Sequence, residues 1–189
     1  MASTKHTLVA LVQNRPGVLN RVASLFRRRG FNIESLAVGH SDLPGLSRMT
    51  IMVDGATTMV EQVTKQLRKV VSVVKVSDIT EDEMVARELA LVKVRATGNT
   101  RGEIVQIIDI FRANIVDVAP DSLMVEVTGD EDKIDSLVNL LRNYGIKELV
   151  RTGRIALVRG VAGATTLEEE SPPQVRRLTP GAKRSATTP

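Results

Sequence analysis

The sequence predicts an α+β chain of two ferredoxin-like βαββαβ units in tandem, followed by a polar tail. Three observations predict it. Strand-type and helix-type periodicities alternate in the order β-α-β-β-α-β, the split βαβ plan. The same order then runs a second time. Local wording repeats too: Leu25-Phe26-Arg27 and Asn32-Ile33 in the first half resemble Ile110-Phe111-Arg112 and Asn114-Ile115 in the second. The units are placed at residues 5–79 and 87–160, with a linker at 80–86 and a tail at 161–189.

Residues 6–12 are β-rich and short enough for a buried strand. Asn14-Arg15-Pro16-Gly17 interrupts them, and Pro16 suits the first position of a helix, where an N–H has no intrahelical partner. Val18, Leu19, Val22, Leu25 and Phe26 then share one helical face. Arg27-Arg28-Arg29 puts cations at the negative end of the helix dipole and Gly30 stops the helix, which explains the triplet better than a docking patch does. Strands are read at 33–41 and 47–54 around the turn Asp42-Leu43-Pro44-Gly45, with Met49, Ile51 and Val53 alternating as on a half-buried strand. A helix from about residue 58 carries the stripe Val60, Val63, Leu67 and Val70, and a strand at 71–76 closes the unit.

Thr80-Glu81-Asp82-Glu83 is an acidic break, after which residues 88–95 read as a strand. Thr97-Gly98-Asn99-Thr100 turns into a helix faced by Ile104, Ile107, Ile108 and Phe111. Strands at 115–118 and 123–127 flank Ala119-Pro120-Asp121. Ile134, Leu137, Val138 and Leu141 stripe a fourth helix, and residues 155–158 supply a late strand. Units of roughly 75 to 80 residues are marginal alone, so docking or oligomerisation supplies part of their stability. Past residue 160 the composition turns to Pro, Thr, Ala, Gly and charge without apolar periodicity, and the tail is expected to be disordered.

Composition removes several classes of function. Hydrophobic residues at 42% and charged ones at 25% are ordinary for a soluble globular protein. No run approaches the roughly 18 to 20 apolar residues of a membrane span. The first residues, Met1 to His6, show no secretory-type core, and a cytoplasmic location is expected. Without cysteine there is no disulfide framework and no thiolate metal site. The net charge of +4 owes much to Arg176, Arg177, Lys183 and Arg184 in the tail. With 2% aromatic residues and one tyrosine, Tyr144, there is little for a base-stacking platform, and no nucleic-acid partner is expected. Dinucleotide, phosphate-loop and zinc-protease motifs are missing. His6 and His40 fall on separate predicted strands, Asp42 and Asp54 are turn and strand-end residues, and no nucleophile–base–orienter set assembles. No catalytic residue, metal ligand or bound cofactor is expected on this chain.

The first strand-to-helix turn offers more. Asn14-Arg15-Pro16-Gly17 leaves backbone N–H groups free at a helix N-terminus, where an anion is favoured, and Gly17 lets a carboxylate approach. The Asn14 amide can accept from an ammonium group and donate to a carboxylate. Gly30-Phe31-Asn32-Ile33 adds a second amide and an apolar wall. A zwitterion with a small aliphatic side chain matches that inventory. Plain helix capping by Asn14 with a turn at Asn32 matches the same residues equally well.

A wider resemblance weighs on that choice. The run from Val9 to Leu19, followed by Leu25-Phe26 and Arg29-Gly30-Phe31-Asn32-Ile33-Glu34-Ser35-Leu36, resembles an ACT domain. More narrowly it is similar to the small regulatory subunit of acetolactate synthase. Ser47-Arg48-Met49-Thr50-Ile51, the segment from Glu61 to Val70, the segment from Arg87 to Val94 and the segment from Ile110 to Val118 extend the resemblance over residues 5 to 160. It implies a homodimer through ACT domains and a catalytic large subunit that holds thiamine diphosphate, Mg²⁺ and FAD. It also implies activation of that partner and feedback inhibition by valine in branched-chain amino-acid biosynthesis. Carried over by position, Asn14, Gly17 and Val18 fall on one protomer's side of an effector site, and Asn32 and Ile33 on the other's. Two alternatives stay open: an amino-acid sensor for a different partner, and an acylphosphatase-type enzyme in which Arg15 binds phosphate.

Overall fold

The computed structural model describes residues 5–160, so the tail expected to be disordered lies outside the described residues. The first unit runs β1 (Lys5–Gln13), α1 (Val18–Arg28), β2 (Ile33–His40), β3 (Leu46–Asp54), α2 (Thr57–Leu67) and β4 (Val73–Asp78). Its antiparallel sheet has the order β2-β3-β1-β4, so β1 and β2 run parallel with β3 between them. At one end of the sheet Gln13 faces Leu46 and His40 faces Ser47; at the other His6 and Ile33 both face Val53. One face buries Leu8, Ala10, Val12, Met49, Ile51 and Val53 beneath Val18, Val22, Leu25 and Phe26 of α1 and Val60, Val63 and Leu67 of α2.

The apolar stripes read from periodicity fill this core with two exceptions. Leu19 lies off the buried face of α1 and is 46% exposed. Val71, expected to open the last strand, is 88% exposed, because the Val73 N–H donates back to the Val70 carbonyl at 2.8 Å and turns the chain first.

The second unit runs β5 (Met84–Arg95), α3 (Arg101–Ile110), β6 (Asn114–Ala119), β7 (Ser122–Gly129), α4 (Glu131–Arg142) and β8 (Ile146–Arg151), with sheet order β6-β7-β5-β8. Its core joins Val92, Val94 and Val125 to Ile104, Ile108, Ile134 and Leu137. The strand that closes this unit is β8, not residues 155–158. β8 is exposed along nearly its whole length, and Lys147 and Glu148 break the apolar alternation while blunting a sheet edge.

Residues Ile155–Val158 instead form an added strand, β9, paired with Met84–Arg87. Met84, Val85 and Ala86, expected in the linker, therefore belong to β5. The ribbon of β9 and the start of β5 folds over the far face of the first sheet, where Ala156 meets Val9 and Ile79 beside Met84, Ala86 and Val158. Arg48 Nη2 donates to the Ala156 carbonyl at 2.7 Å. Strand β3, expected to be half-buried, is consequently covered on both faces, with Thr50 and Met52 as deeply buried as Met49.

Candidate functional site

The turn after β1 is built from backbone requirements. Arg15 to Val18 form a turn in which the Val18 N–H donates to the Arg15 carbonyl at 3.4 Å. Gly17 has φ 82° and ψ −5°, the conformation of the third residue of a type II turn, and Pro16 supplies the fixed φ wanted just before it. Pro16 is therefore a turn residue and not the first residue of the helix, since a left-handed Gly17 forces α1 to begin at Val18.

No side chain caps α1, and nothing lies within 4 Å of the place a Gly17 Cβ would take. The positive end of the helix dipole thus has no side-chain cap and has open space beside Gly17. The capping alternative for Asn14 falls away, because its side chain makes no bond to the helix. Asn14 is exposed; its N–H donates to the Gly45 carbonyl at 2.8 Å and its Nδ2 lies 3.4 Å from His40 Nδ1. Val18 is buried, so what it brings to this crevice is its backbone.

The second segment follows the end of α1. Gly30, at φ 72°, donates its N–H to the Arg27 carbonyl, and Phe31 donates to the Phe26 carbonyl, both at 3.1 Å. The Phe31 ring stands edge-on to Phe26 with centroids 6.4 Å apart. This locks the chain as it enters β2 and leaves Asn32 exposed and Ile33 packed partly against the first core.

Within one chain the two segments do not meet. Asn14 follows the last residue of β1, while Asn32 precedes the first residue of β2, a parallel strand. Eight residues of β2 at roughly 3.3 Å each put them on the order of 25 Å apart, at opposite ends of the sheet. His40, read from sequence as an ordinary strand residue, is what joins Asn14 to the far end of β2; only the register of β2 on β3 could have found it.

His6 is buried, with Nδ1 3.3 Å from Asp78 Oδ2 and no partner for Nε2. An apolar groove of about 540 Å³ opens between Ala37, Gly39 and Arg48 of the first unit and Val85, Ile155 and Leu157 of the ribbon, and contains none of the five expected effector residues. Among the described residues no cluster of three or more His, Asp or Glu side chains is set to hold a metal, and no helix is long and apolar enough to cross a membrane.

Two βαββαβ units in one chain, the first with an open helix N-terminus beside a free strand edge, define a protein of the ACT-domain class. Residues 8–75 match the family model described as an AHAS small subunit-like ACT domain, and residues 87–160 match that of the small subunit of acetolactate synthase. A protein from Archaeoglobus fulgidus, named as a probable acetolactate synthase small subunit, is 60% identical over 156 residues, covering 82% of this chain and 98% of its own. The acetolactate synthase small subunit of Mycobacterium bovis is 47% identical over 88% of this chain and 99% of its own. Among solved structures, the acetolactate synthase small subunit of Thermotoga maritima superposes with a TM-score of 0.78 at 44% identity, covering 84% of this chain and 99% of that one. The chain belongs to the acetolactate synthase small-subunit family, and its role is that of a regulatory subunit.

Proposed function

We propose that this chain activates the catalytic large subunit of acetolactate synthase and makes it answer to valine, the end product, in branched-chain amino-acid biosynthesis. The chain itself is non-catalytic in this reading, and thiamine diphosphate, Mg²⁺ and FAD belong to the large subunit in the cytoplasm. One observation carries it: the two half-sites lie at opposite ends of β2, and β2 is an edge strand of its sheet. A second copy pairing antiparallel along that edge brings its Asn32 and Ile33 to the first copy's His40, Asn14 and Gly17. The two-fold repeats the arrangement, so a homodimer has two complete sites.

In each site the valine carboxylate faces the N–H groups of the first turn of α1, with Gly17 leaving room for it. Its ammonium meets the Asn14 carbonyl oxygen. The partner copy supplies the Asn32 amide and an apolar wall at Ile33. So small a ligand binds in the micromolar to millimolar range, about −4 to −8 kcal/mol. Feedback needs a coupling of only about 1 to 3 kcal/mol between effector and large subunit. Valine must then favour one arrangement of the dimer over another, since equal affinity for both shifts nothing.

The test is a reconstituted holoenzyme assayed with and without valine. Asn14→Ala and Gly17→Asp are each expected to abolish inhibition, scored on preparations in which the small subunit still activates its partner. Wild-type inhibition in both variants would remove this site. A pull-down that failed to recover the large subunit would favour a different partner.

A further inference from the structure

The two units are tied by a group of side chains at the N-terminal end of β2. Glu131, the first residue of α4, has a cation at each carboxylate oxygen: Lys5 Nζ of the first unit at 2.8 Å from Oε1, and Arg154 Nη2 of the β8–β9 loop at 2.6 Å from Oε2. Lys5 Nζ also lies 3.8 Å from Glu34 Oε2 on β2. The Arg154 N–H donates to Ser35 Oγ at 3.0 Å. Gly153, at φ 84°, packs so closely on β2 that a Cβ there would stand 2.7 Å from Ser35 Oγ. Strand β2 slips register on β3 between Ile33 and Ser35, leaving Glu34 in an irregular step of the ladder.

We propose that this Glu131-centred clasp is the relay through which the second unit senses effector occupancy, an inference that rests on the effector reading above. Asn32 and Ile33 of the proposed site directly precede Glu34, which faces Lys5 of the clasp, and Ser35, which the second unit grips. A step in a strand's ladder absorbs a displacement without breaking its neighbours, so a shift at Ile33 on ligand closure reaches Glu34 and Ser35. Glu131 then transmits it to α4 as a rigid body, because the Asp130 side chain fixes that helix end by accepting from the Lys133 N–H at 2.9 Å.

The other described contact between the units is the ribbon's apolar packing on Val9 and Ile79, which has no preferred direction, together with the hydrogen bond from Arg48 to the Ala156 carbonyl. That contact grips β1, β3 and Ile79, whereas the clasp grips β2 beside the proposed site. The clasp is directional. Linkage then demands reciprocity: with the clasp cut, valine still binds but no longer alters the affinity between the subunits.

Three variants of the full chain test this. Glu131→Gln and Arg154→Met cut the clasp. Arg151→Met removes an ion pair of similar kind, to Glu88 and Asp135, that lies wholly inside the second unit. Valine binding is measured by titration calorimetry on the small subunit, and inhibition on the holoenzyme rebuilt with the large subunit. Both clasp variants are expected to bind valine within about threefold of wild type while the concentration for half-inhibition rises by about tenfold or more; Arg151→Met is expected to behave as wild type in both. Clasp variants still inhibited at the wild-type concentration would overturn the relay alone. So would variants that lose inhibition only because they lose binding. A wild-type chain that took up no valine would overturn the effector reading, and the relay with it, before any variant is compared. If Glu131→Gln fails to fold, Arg154→Met and Ser35→Ala carry the same comparison.

Discussion

Both units place a strand-to-helix turn at the same point of the βαββαβ plan, and neither helix has a side-chain cap, yet the two turns differ in backbone shape and in the side chains they hold. After β1 the left-handed Gly17 leaves the N-terminus of α1 uncapped and open. After β5 the turn satisfies itself: the Thr97 N–H donates to Thr100 Oγ1 at 3.1 Å, and the Arg101 N–H donates to the Thr97 carbonyl at 2.9 Å. Arg101 is the first residue of α3, and its guanidinium donates to the Ala119 and Pro120 carbonyls at 2.7 and 2.9 Å. Its guanidinium is thus committed to the strand-end carbonyls. One fold thus yields an open turn around a left-handed glycine and a turn tied together by Thr97, Thr100 and Arg101. Function belongs to the turn and not to the fold.

The sharpest way to break this contrast is to put the same charge into both turns. Gly17→Asp adds a Cβ at positive φ and a carboxylate where the effector's would sit, and is expected to abolish valine inhibition. Gly98→Asp, with open space around it, is expected to leave inhibition unchanged. Equal loss from both would erase the distinction between the turns. Next in size is Arg101→Met, which strips the donor from carbonyls at the end of β6 and costs about 2 kcal/mol, seen as a Tm lower by several degrees with inhibition intact.

A smaller effect comes from acid. The hydrogen bond from Lys5 is the main reason the Glu131 carboxyl titrates below the ordinary glutamate value, and Glu131 is the main reason the Lys5 ammonium titrates above the ordinary lysine value. Glu131, lowered in the fold, therefore contributes stability above the ordinary glutamate value that is lost as the pH falls through its folded value. Lys5, raised, contributes below the ordinary lysine value and loses it as the pH rises through its folded value. Denaturant melts of wild type and Glu131→Gln are expected to differ by under about 1 kcal/mol at neutral pH and to converge in acid, since the pair is partly exposed. The least effect is expected from His40→Ala, which frees the Asn14 amide and weakens valine binding by about twofold in a calorimetric titration.

Much of the fold was legible because burial has a short-range signature. Val22, Leu25 and Phe26, or Ile134, Leu137, Val138 and Leu141, announce their helices by spacing alone, and the buried face is where they lie. Strand β8 was missed because an edge strand with one partner and little burial has no such signature. The apolar run of residues 155–158 announces a strand, but that strand serves the first unit's far face. At the candidate site, the break after the first strand and the room at Gly17 were readable, while the turn made by Pro16 and Gly17, the role of His40 and the separation of Asn14 from Asn32 were not.

By itself the sequence determined whatever depends on neighbours a few residues apart: the order of most elements, the duplicated plan, the break at Asn14 to Gly17 between the first strand and helix. The tertiary structure decided what depends on residues distant in the chain. Lys5 reaches Glu131 across 126 positions, and Asn14 and Asn32 lie at opposite ends of one sheet. Local periodicity encodes which side of an element is buried, but only strand order and register determine what it is buried against.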